Sequence, residues 1–454
     1  KSLAPNSTAL LIETKAKNDE ELNKNVSYIE NSISNIHTVT PLCFTKDPTE
    51  QAILWKIRKE TLPTVAGMRR SGTTSIIEDV CFPVPSLAKA VLDLQALFSK
   101  HGYDEAVIFG HALEGNMHFM FSPDFNNDVE FKRYSNFMEE LADMVVEKYN
   151  GSLKAEHGTG RNMAPFVEKE WGKNALAIMK EVKHLFDPKG ILNPGVILNE
   201  DSQIHLKNIK PMASIRESVD KCMECGFCES VCVAEGLTLS PRQRVAVHRE
   251  MERLRKTGTE PHRAAEIKSR YKYAALATCA TDSLCAAKCP VKIDTGKLVK
   301  ELRHEGHSQF QENVAALISS NMRAVTASMR FGLSVLYYLR LILGKKIFGT
   351  IARSLRFISG GVIPLWNEHF PKNASKISNK SIFTQNKKAS KSNLKVVYFP
   401  SCITRSMGIS KGYKSAMDLA KVTKVLLNRA GYEIIYPENL NSLCCGMAFS
   451  SKGF

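Results

Sequence analysis

Apolar positions along the first two hundred residues alternate between a period near two and a period near 3.6, the signature of strands interleaved with amphipathic helices. Residues 8–12 read as a short strand, and 18–35 as a helix with its charges on one face. Residues 48–60 form a helical pattern entered through Asp47 as N-cap, and 86–101 repeat it. Residues 106–109 and 117–121 are strand-like runs joined by a short glycine-containing loop, which predicts a hairpin. A long helix is expected over 128–149 and a strand over 152–156. The expected class for 1–200 is therefore α+β.

Beyond residue 200 the pattern changes. Residues 201–220 read as a linker, and from 221 to about 310 cysteine groups alternate with helical segments at 240–256 and 260–277. This predicts an all-α module over 201–310. Residues 311–394 begin as amphipathic, basic helices and end, over 371–394, as a polar linker rich in Lys, Ser and Asn. A strand at 396–399, a helix near 411–430 and a strand at 432–436 predict the start of an α/β unit over 395–454. No solenoid-type repeat is visible.

Composition sharpens this picture in two ways. A length of 454 residues fits two to four domains, and 43% apolar residues can fill real cores. Twelve cysteines are too few for a disulfide scaffold at this length, and seven of them fall between 222 and 289. Such grouping implies metal or cluster ligation in a reducing compartment, so the cytoplasm is the expected location. No secretory signal opens the chain, and no run of 18 apolar residues occurs. The chain starts at Lys1 and stops inside the last α/β stretch, so a fragment of a longer protein is expected. The net charge of +16 is uneven: residues 300–395 hold sixteen Lys/Arg against four Glu and no Asp, a net +12. Within that stretch, 334–343 is apolar but too short to span a bilayer. With Lys345, Lys346, Arg353 and Arg356 it could lie as a basic amphipathic helix on an anionic membrane surface, or pack into a core with a solvated face. No nucleic-acid motif accompanies the charge, so nucleic acid is not an expected partner.

The cysteines form two groups in one frame. The first is Cys222-x2-Cys225-x2-Cys228-x3-Cys232, and the second Cys279-x2-Asp282-x2-Cys285-x3-Cys289-Pro290. In such runs three thiolates grip one cubane, while the fourth reaches the other cluster. One cluster is thus assigned to Cys222, Cys225, Cys228 and Cys289. The other takes Cys232, Cys279 and Cys285, with Asp282 as fourth ligand. A structural zinc would gain nothing from the doubled spacing. Carboxylate is a harder donor than thiolate, so the second site is either a complete 4Fe-4S cluster with oxygen ligation or a three-iron cluster with Asp282 unbound. This segment resembles the alpha-helical ferredoxin module of flavin-linked dehydrogenases and succinate-dehydrogenase-type iron–sulfur subunits.

In the N-terminal part, Gly110-His111-Ala112-Leu113-Glu114-Gly115-Asn116-Met117-His118 spans the expected hairpin, whose turn can bring His111 and His118 face to face. Glu156-His157-Gly158-Thr159-Gly160-Arg161 follows an expected strand, in which neighbours point to opposite sides. One of Glu156 and His157 could then complete a metal site while the other faces a substrate. Two histidines and a carboxylate leave an open position on a divalent ion. These segments, with Ala52–Arg58, Ile77-Glu78-Asp79-Val80 and Leu185-Phe186-Asp187-Pro188-Lys189-Gly190-Ile191-Leu192-Asn193-Pro194-Gly195, resemble the C-terminal half of FAD-linked oxidases of the vanillyl-alcohol-oxidase superfamily, in the D-lactate and D-2-hydroxyglutarate dehydrogenase branch.

The resemblance implies an α+β substrate (cap) domain over 1–200 and a set of roles. Arg58 would hold the substrate carboxylate and Asn116 would also bind substrate. His111, His118 and Glu156 would bind a divalent metal, most simply zinc, that polarises the substrate hydroxyl. His157 would take the hydroxyl proton while hydride leaves C2 for the flavin, and Asn193 would lie near the flavin ring. The family's FAD-binding domain precedes this region and is expected upstream or on another subunit. The hydroxyglutarate branch commonly carries a Lys just before the residue matching Asp79; Ile76, Ile77 and Glu78 stand here, which favours lactate. Cys402, Cys444 and Cys445, in a Cys-Cys-Gly context, resemble the start of a CCG cysteine-rich domain and are candidates for a further cluster. The expected activity is oxidation of a D-2-hydroxy acid, with electrons passing through FAD and two clusters to a quinone or other acceptor. Glycolate or D-2-hydroxyglutarate are the alternative substrates. A non-catalytic iron–sulfur subunit that docks a flavoprotein is the alternative class.

Overall fold

The computed structural model describes residues 7–377, 394–410, 413 and 417–454. The chain forms two compact units, Lys1–Leu298 and Val299–Phe454.

In the first unit, helix α1 (Asp19–Ser32) starts where Asn18 accepts a hydrogen bond from the Glu21 N–H. Helix α2 (Pro48–Gly67) starts at Asp47, which accepts from the Thr49 N–H, and runs through a buried Pro63, two turns past the expected end. Strand β1 (Ile76–Cys81) precedes α3 (Leu87–Lys100), β2 (Val107–His111) and β3 (Asn116–Phe121). The three strands make an antiparallel sheet in the order β1-β3-β2. β3 is central and buried along its whole length. Its register sets Asp79 and Phe109 on either side of His118, and Cys81 and His111 on either side of Asn116. α3 and α4 (Asp128–Asp143) cover the sheet, and Phe98, Phe119, Phe121 and Phe137 form the centre of the core. The rings of Phe98 and Phe137 stack at 5.0 Å, and those of Phe121 and Phe137 meet at 4.9 Å. α5 (Val167–Phe186) closes this part, kinked at Gly172.

In the rest of the first unit the regular elements among the described residues are helices joined by loops: α6 (Glu217–Asp220), α7 (Pro241–Thr257), α8 (Pro261–Tyr271) and α9 (Leu284–Lys288). α7 has a full capping box between Ser240 and Gln243, with Gly258 left-handed at its end.

α10 (Thr295–Glu305) begins at the end of the first unit and continues into the second. α11 (Gln309–Ser320) and the long α12 (Met322–Ile358), kinked at Gly344, follow. β4 (Pro371–Asn373) pairs with β6 (Met407–Ser410), and β5 (Lys395–Val397) pairs in parallel with β7 (Glu433–Ile435). α13 (Cys402–Ser406) and α14 (Leu419–Arg429) lie between β5 and β7, giving the expected α/β character.

Several local expectations fail for identifiable reasons. Residues 8–12 are not a strand: no neighbouring strand pairs with them among the described residues, and Leu10 is 76% exposed. The strand expected at 152–156 shrinks to one bridge between Ser152 and Cys81, because the following backbone turns to donate to Asp79. The helix over 128–149 ends in a π turn at Met144–Lys148, and that over 260–277 in a π turn at Lys272–Ala277. Part of the linker at 371–394 pairs as β4, while 378–393 lie outside the described residues. The helix near 411–430 is described from Leu419; 411, 412 and 414–416 lie outside the described residues.

Candidate functional site

The site in the first unit is built on the central strand. Asn116 and His118 are two apart on β3, so they share a face. Both are buried, and Asn116 Oδ1 has no hydrogen-bond partner among the described residues. The turn that carries His111 toward them depends on Gly115. Its φ is 67°, and a Cβ there would meet the Phe82 carbonyl at 2.0 Å.

Asp79 organises the opposite wall. Its carboxylate is fully buried, and Oδ2 accepts the backbone N–H groups of Ala155, Glu156 and His157 at 3.1, 2.7 and 3.2 Å. Lys154 lies 3.4 Å from its other oxygen and also pairs with Glu78. Burial pushes the Asp79 carboxyl up, but the Glu156 and His157 N–H groups and Lys154 outweigh it and hold it below the usual range. Burial wins at Glu78, whose carboxyl is raised despite Lys154.

This loop places Glu156 and His157 on the same side, not on opposite faces of a strand. Glu156 Oε1 is 2.9 Å from His118 Nε2 and 3.6 Å from His111 Nε2. One ligand atom from each of these three residues fits within a 4.8 Å group. The rings of His111 and His118 stand 5.4 Å apart at 86°. His157 stacks on His118 at 4.7 Å and 11°, with its Nδ1 3.6 Å from Asp79 Oδ1. Burial and the neighbouring His157 lower the pKa of His118, which favours the neutral imidazole that a metal needs. Two imidazoles and one carboxylate with a solvent-facing side fit a divalent ion with an open position.

Arg58, on α2, lies with its guanidinium 6.0 Å from the Phe109 ring, which is 5.6 Å from the His118 ring. Asn193 stands apart: it is exposed, left-handed at φ 47°, and no hydrogen bond or ring contact places it with the histidines. Its loop is held by Asp187, which accepts the Ile191 and Leu192 N–H groups, and is tied to the Glu156 loop where Ile197 N–H donates to the Gly160 carbonyl at 2.9 Å.

The cysteines gather around two pockets. Cys222, Cys225, Cys228 and Cys289 line one, with Pro63, Phe227, Val245, Pro290, Val291 and Ile293 among its other walls. Cys232, Cys279, Asp282 and Cys285 line a second, with Arg244. The last cysteine of each run thus faces the pocket of the other run, the crossed pattern of two cubanes. Burial pushes the Cys222, Cys228 and Cys285 thiols up, Cys228 to about 12, so cluster binding must displace protons. The second pocket shows a specific need for negative charge. Arg244 is 1% exposed, Nη1 lies 3.8 Å from Cys232 Sγ, and Nε and Nη2 have no partner among the described residues. A buried cation left this way is costly unless an anion occupies the pocket. Asp282 is exposed at the pocket edge and accepts the Leu284 N–H at 3.1 Å.

α2 joins the two regions. Arg58 and Pro63 are five residues apart, roughly 7.5 Å along the helix axis. Arg58 belongs to the histidine end and Pro63 to the wall of the first cysteine pocket. At Gly67 a Cβ would sit 2.5 Å from Val291 Cγ1, so the helix end rests on the strip beside Cys289. Arg69 then donates to the Asp220 carbonyl at 2.5 Å, beside Cys222. Neither Arg244 nor this bridge is visible in the spacing of the motifs. Only the basic character of α7 hints at the former.

In the second unit, buried Arg405 donates to the Leu440 and Leu443 carbonyls and draws that loop onto α13. This brings Cys402 and Cys444 together: burial first, and then Cys444, raise the Cys402 thiol, with Cys445 nearby.

Residues 1–197 match the family described as FAD linked oxidases, C-terminal domain, and residues 218–293 match the 4Fe-4S dicluster domain. The chain is 27% identical over 303 residues to a D-2-hydroxyglutarate dehydrogenase of Haemophilus influenzae, covering 56% of this chain and 29% of that protein. It is 31% identical over 188 residues to a mitochondrial D-lactate dehydrogenase [cytochrome] of Arabidopsis thaliana, covering 39% and 31%. It is 32% identical over 155 residues to glycolate oxidase subunit GlcD of Bacillus subtilis, covering 34% and 32%. The chain therefore spans about a third of the length of these relatives.

Proposed function

We propose that the chain, which pairs an FAD-linked oxidase C-terminal domain with a 4Fe-4S dicluster domain, belongs to a dehydrogenase that oxidises a D-2-hydroxy acid, D-lactate first, to the 2-oxo acid. The observation that carries this reading is α2, which spans from Arg58, 6.0 Å from the Phe109 ring that neighbours His118, to Pro63 in the wall of the first cysteine pocket. An oxidase site and an electron outlet within one unit suit a two-electron substrate and one-electron carriers.

In this reading Arg58 pairs with the substrate carboxylate, since guanidinium matches it as a fork. Asn116 supplies an amide whose oxygen is buried without a partner and can accept from the substrate. His111, His118 and Glu156 hold a divalent cation, zinc for preference, which when bound would lower the pKa of the substrate hydroxyl. His157 takes the hydroxyl proton. Its ring stacks on His118 with Nδ1 3.6 Å from Asp79 Oδ1 and Nε2 3.7 Å from Glu156 Oε1, and Asp79 fixes its backbone. FAD, when bound, would supply the hydride acceptor, from a domain upstream or on another subunit, and Asn193 would be the residue of this chain that contacts it. The two clusters, when bound, carry electrons singly toward a quinone or another acceptor. Cys222, Cys225, Cys228 and Cys289 hold one, and Cys232, Cys279, Cys285 and Asp282 the other. Cys402, Cys444 and Cys445 contribute to a further metal or cluster site completed by other residues.

Ile76, Ile77 and Glu78 precede Asp79, and Lys154, which lies against them, is already paired with Glu78 and Asp79; this favours lactate over 2-hydroxyglutarate. Dye reduction by FAD-loaded, full-length protein is expected with D-lactate, weakly with glycolate and D-2-hydroxyglutarate, and not with L-lactate. Failure with every D-2-hydroxy acid would sink the proposal and leave the electron-transfer subunit as the reading.

Among the described residues no helix is long and apolar enough to cross a membrane. α12 nevertheless exposes Phe331, Tyr338, Ile342, Ile347 and Phe357 beside Lys345, Lys346, Arg353 and Arg356, while Leu333 and Phe348 turn inward. This supports peripheral contact with an anionic surface, the inner face of the cytoplasmic membrane. The protein is expected to sediment with anionic liposomes in low salt; equal weak sedimentation with neutral ones removes this reading.

A further inference from the structure

A second histidine–carboxylate group lies in the other unit, outside every motif discussed above. His304 occupies the last turn of α10. A tight turn follows, in which His307 N–H donates to the His304 carbonyl at 2.9 Å. Ser308 then caps α11 through a capping box with Gln311, which fixes where Glu312 emerges in the first turn.

The three side chains converge on one point. Glu312 Oε1 is 3.1 Å from His304 Nδ1 and 2.9 Å from His307 Nδ1. One ligand atom from each residue lies within a common 4.8 Å group. The two imidazole planes are 86° apart with centroids at 6.0 Å, so their lone pairs approach from different directions. His307 is held in place: its ring stacks on Phe454 at 3.9 Å and 14°, and its side chain is only 12% exposed. The Phe454 turn is itself anchored on α10, because Arg303 donates to the Ser451 carbonyl. His304 is 63% exposed and leaves an entry path from solvent.

We infer that His304, His307 and Glu312 form a binding site for a divalent transition-metal ion of the zinc class, one that clips the end of α10 to the start of α11. Neutral Nδ1 atoms and a carboxylate oxygen are the donors such an ion takes. Bonds of about 2.0–2.1 Å at tetrahedral angles put ligand atoms about 3.3–3.4 Å apart. The spacings from Glu312 Oε1 to the two Nδ1 atoms are a few tenths of an ångström short of that. Both involve the Glu312 carboxylate, so a small rotation of that side chain supplies the opening. The fourth position faces solvent and would hold water. This role is structural and independent of the proposed dehydrogenase chemistry, since none of these residues belongs to the histidine–carboxylate group or the cysteine pocket linings of the first unit.

The test is zinc content of the full chain with its clusters loaded, so that the cysteines are occupied. After anaerobic equilibration with zinc sulfate and dialysis against a weak chelator, elemental analysis counts zinc per chain. His304→Asn and Glu312→Gln are each expected to lose one equivalent relative to wild type, while His118→Asn loses a different one. Added zinc should also raise the Tm of wild type and of His118→Asn, but raise it less in Glu312→Gln. Exposed His304 makes its variant safe to fold, and Glu312→Gln keeps the side-chain shape. Equal zinc content in wild type, His304→Asn and Glu312→Gln would overturn the inference and leave a hydrogen-bonded helix junction.

Discussion

Replacing His157 by Asn is expected to lower kcat/KM for D-lactate by about 10²–10⁴-fold, the usual worth of a positioned general base. His157 sits where that loss should be clean. Its side chain is 43% exposed, so no core is opened. Its ring lies flat against His118, and its backbone N–H is held by Asp79. It is not one of the three residues His111, His118 and Glu156, but it forms a second group with Asp79 and His118 whose ligand atoms also lie within 4.8 Å, so the two groups share His118. The His157→Asn protein is expected to keep its clusters and a near-normal KM and to lose turnover, and retained zinc in it would place the ion on His111, His118 and Glu156. His118→Asn should instead lose the metal. A His157→Asn enzyme within tenfold of wild type would assign the proton to another group.

The second large effect concerns Arg244. Its guanidinium is 1% exposed, touches Cys232 Sγ and has two nitrogens without partners among the described residues. A buried positive charge stabilises a cluster more after it gains an electron, so it raises the reduction potential. A hydrogen bond to a charged group is worth about 1.5–3 kcal/mol. If all of it fell on the reduced state, one electron would convert it to roughly 65–130 mV. Arg244→Met is therefore expected to lower the potential of the second cluster by up to that amount, while the first cluster moves little. The first pocket is walled mainly by apolar side chains, and Arg249 near Cys222 is already paired with Glu224. Potentiometric titration followed by EPR separates the two. An unchanged second potential would contradict the account. The same spectra address Asp282: a three-iron signal that survives iron and sulfide reconstitution would remove it as a ligand.

The parts of the fold legible in the sequence are those written in local chemistry. Asp47 before an amphipathic run marks α2, Ser240 before another marks α7, and the glycine-spaced strands around 110–118 mark the hairpin. The crossed grouping of the cysteines follows from the three-plus-one pattern of such runs, and the two pockets are lined accordingly. What spacing could not give are effects made by distant residues. The segment after Ser152 has strand-like letters, yet Asp79, more than seventy positions earlier, claims its N–H groups and turns it into a loop. That loop, rather than strand alternation, puts Glu156 with the two histidines. Residues 8–12 are a short apolar run that finds no ladder among the described residues, so such a run alone does not make a strand. Arg244 reads as one more charge on a basic helix until its burial is seen. The group at His304 is hidden similarly: two histidines three apart at a helix end look solvated until the cap at Ser308 sets Glu312 against them.

The account rests on electrons leaving the substrate through the cysteine module. The most direct measurement is anaerobic EPR of FAD-loaded, full-length protein frozen after mixing with D-lactate alone. The account predicts signals of reduced iron–sulfur clusters on the timescale of turnover, absent from the His157→Asn protein. Bleached flavin with both clusters still oxidised would contradict it.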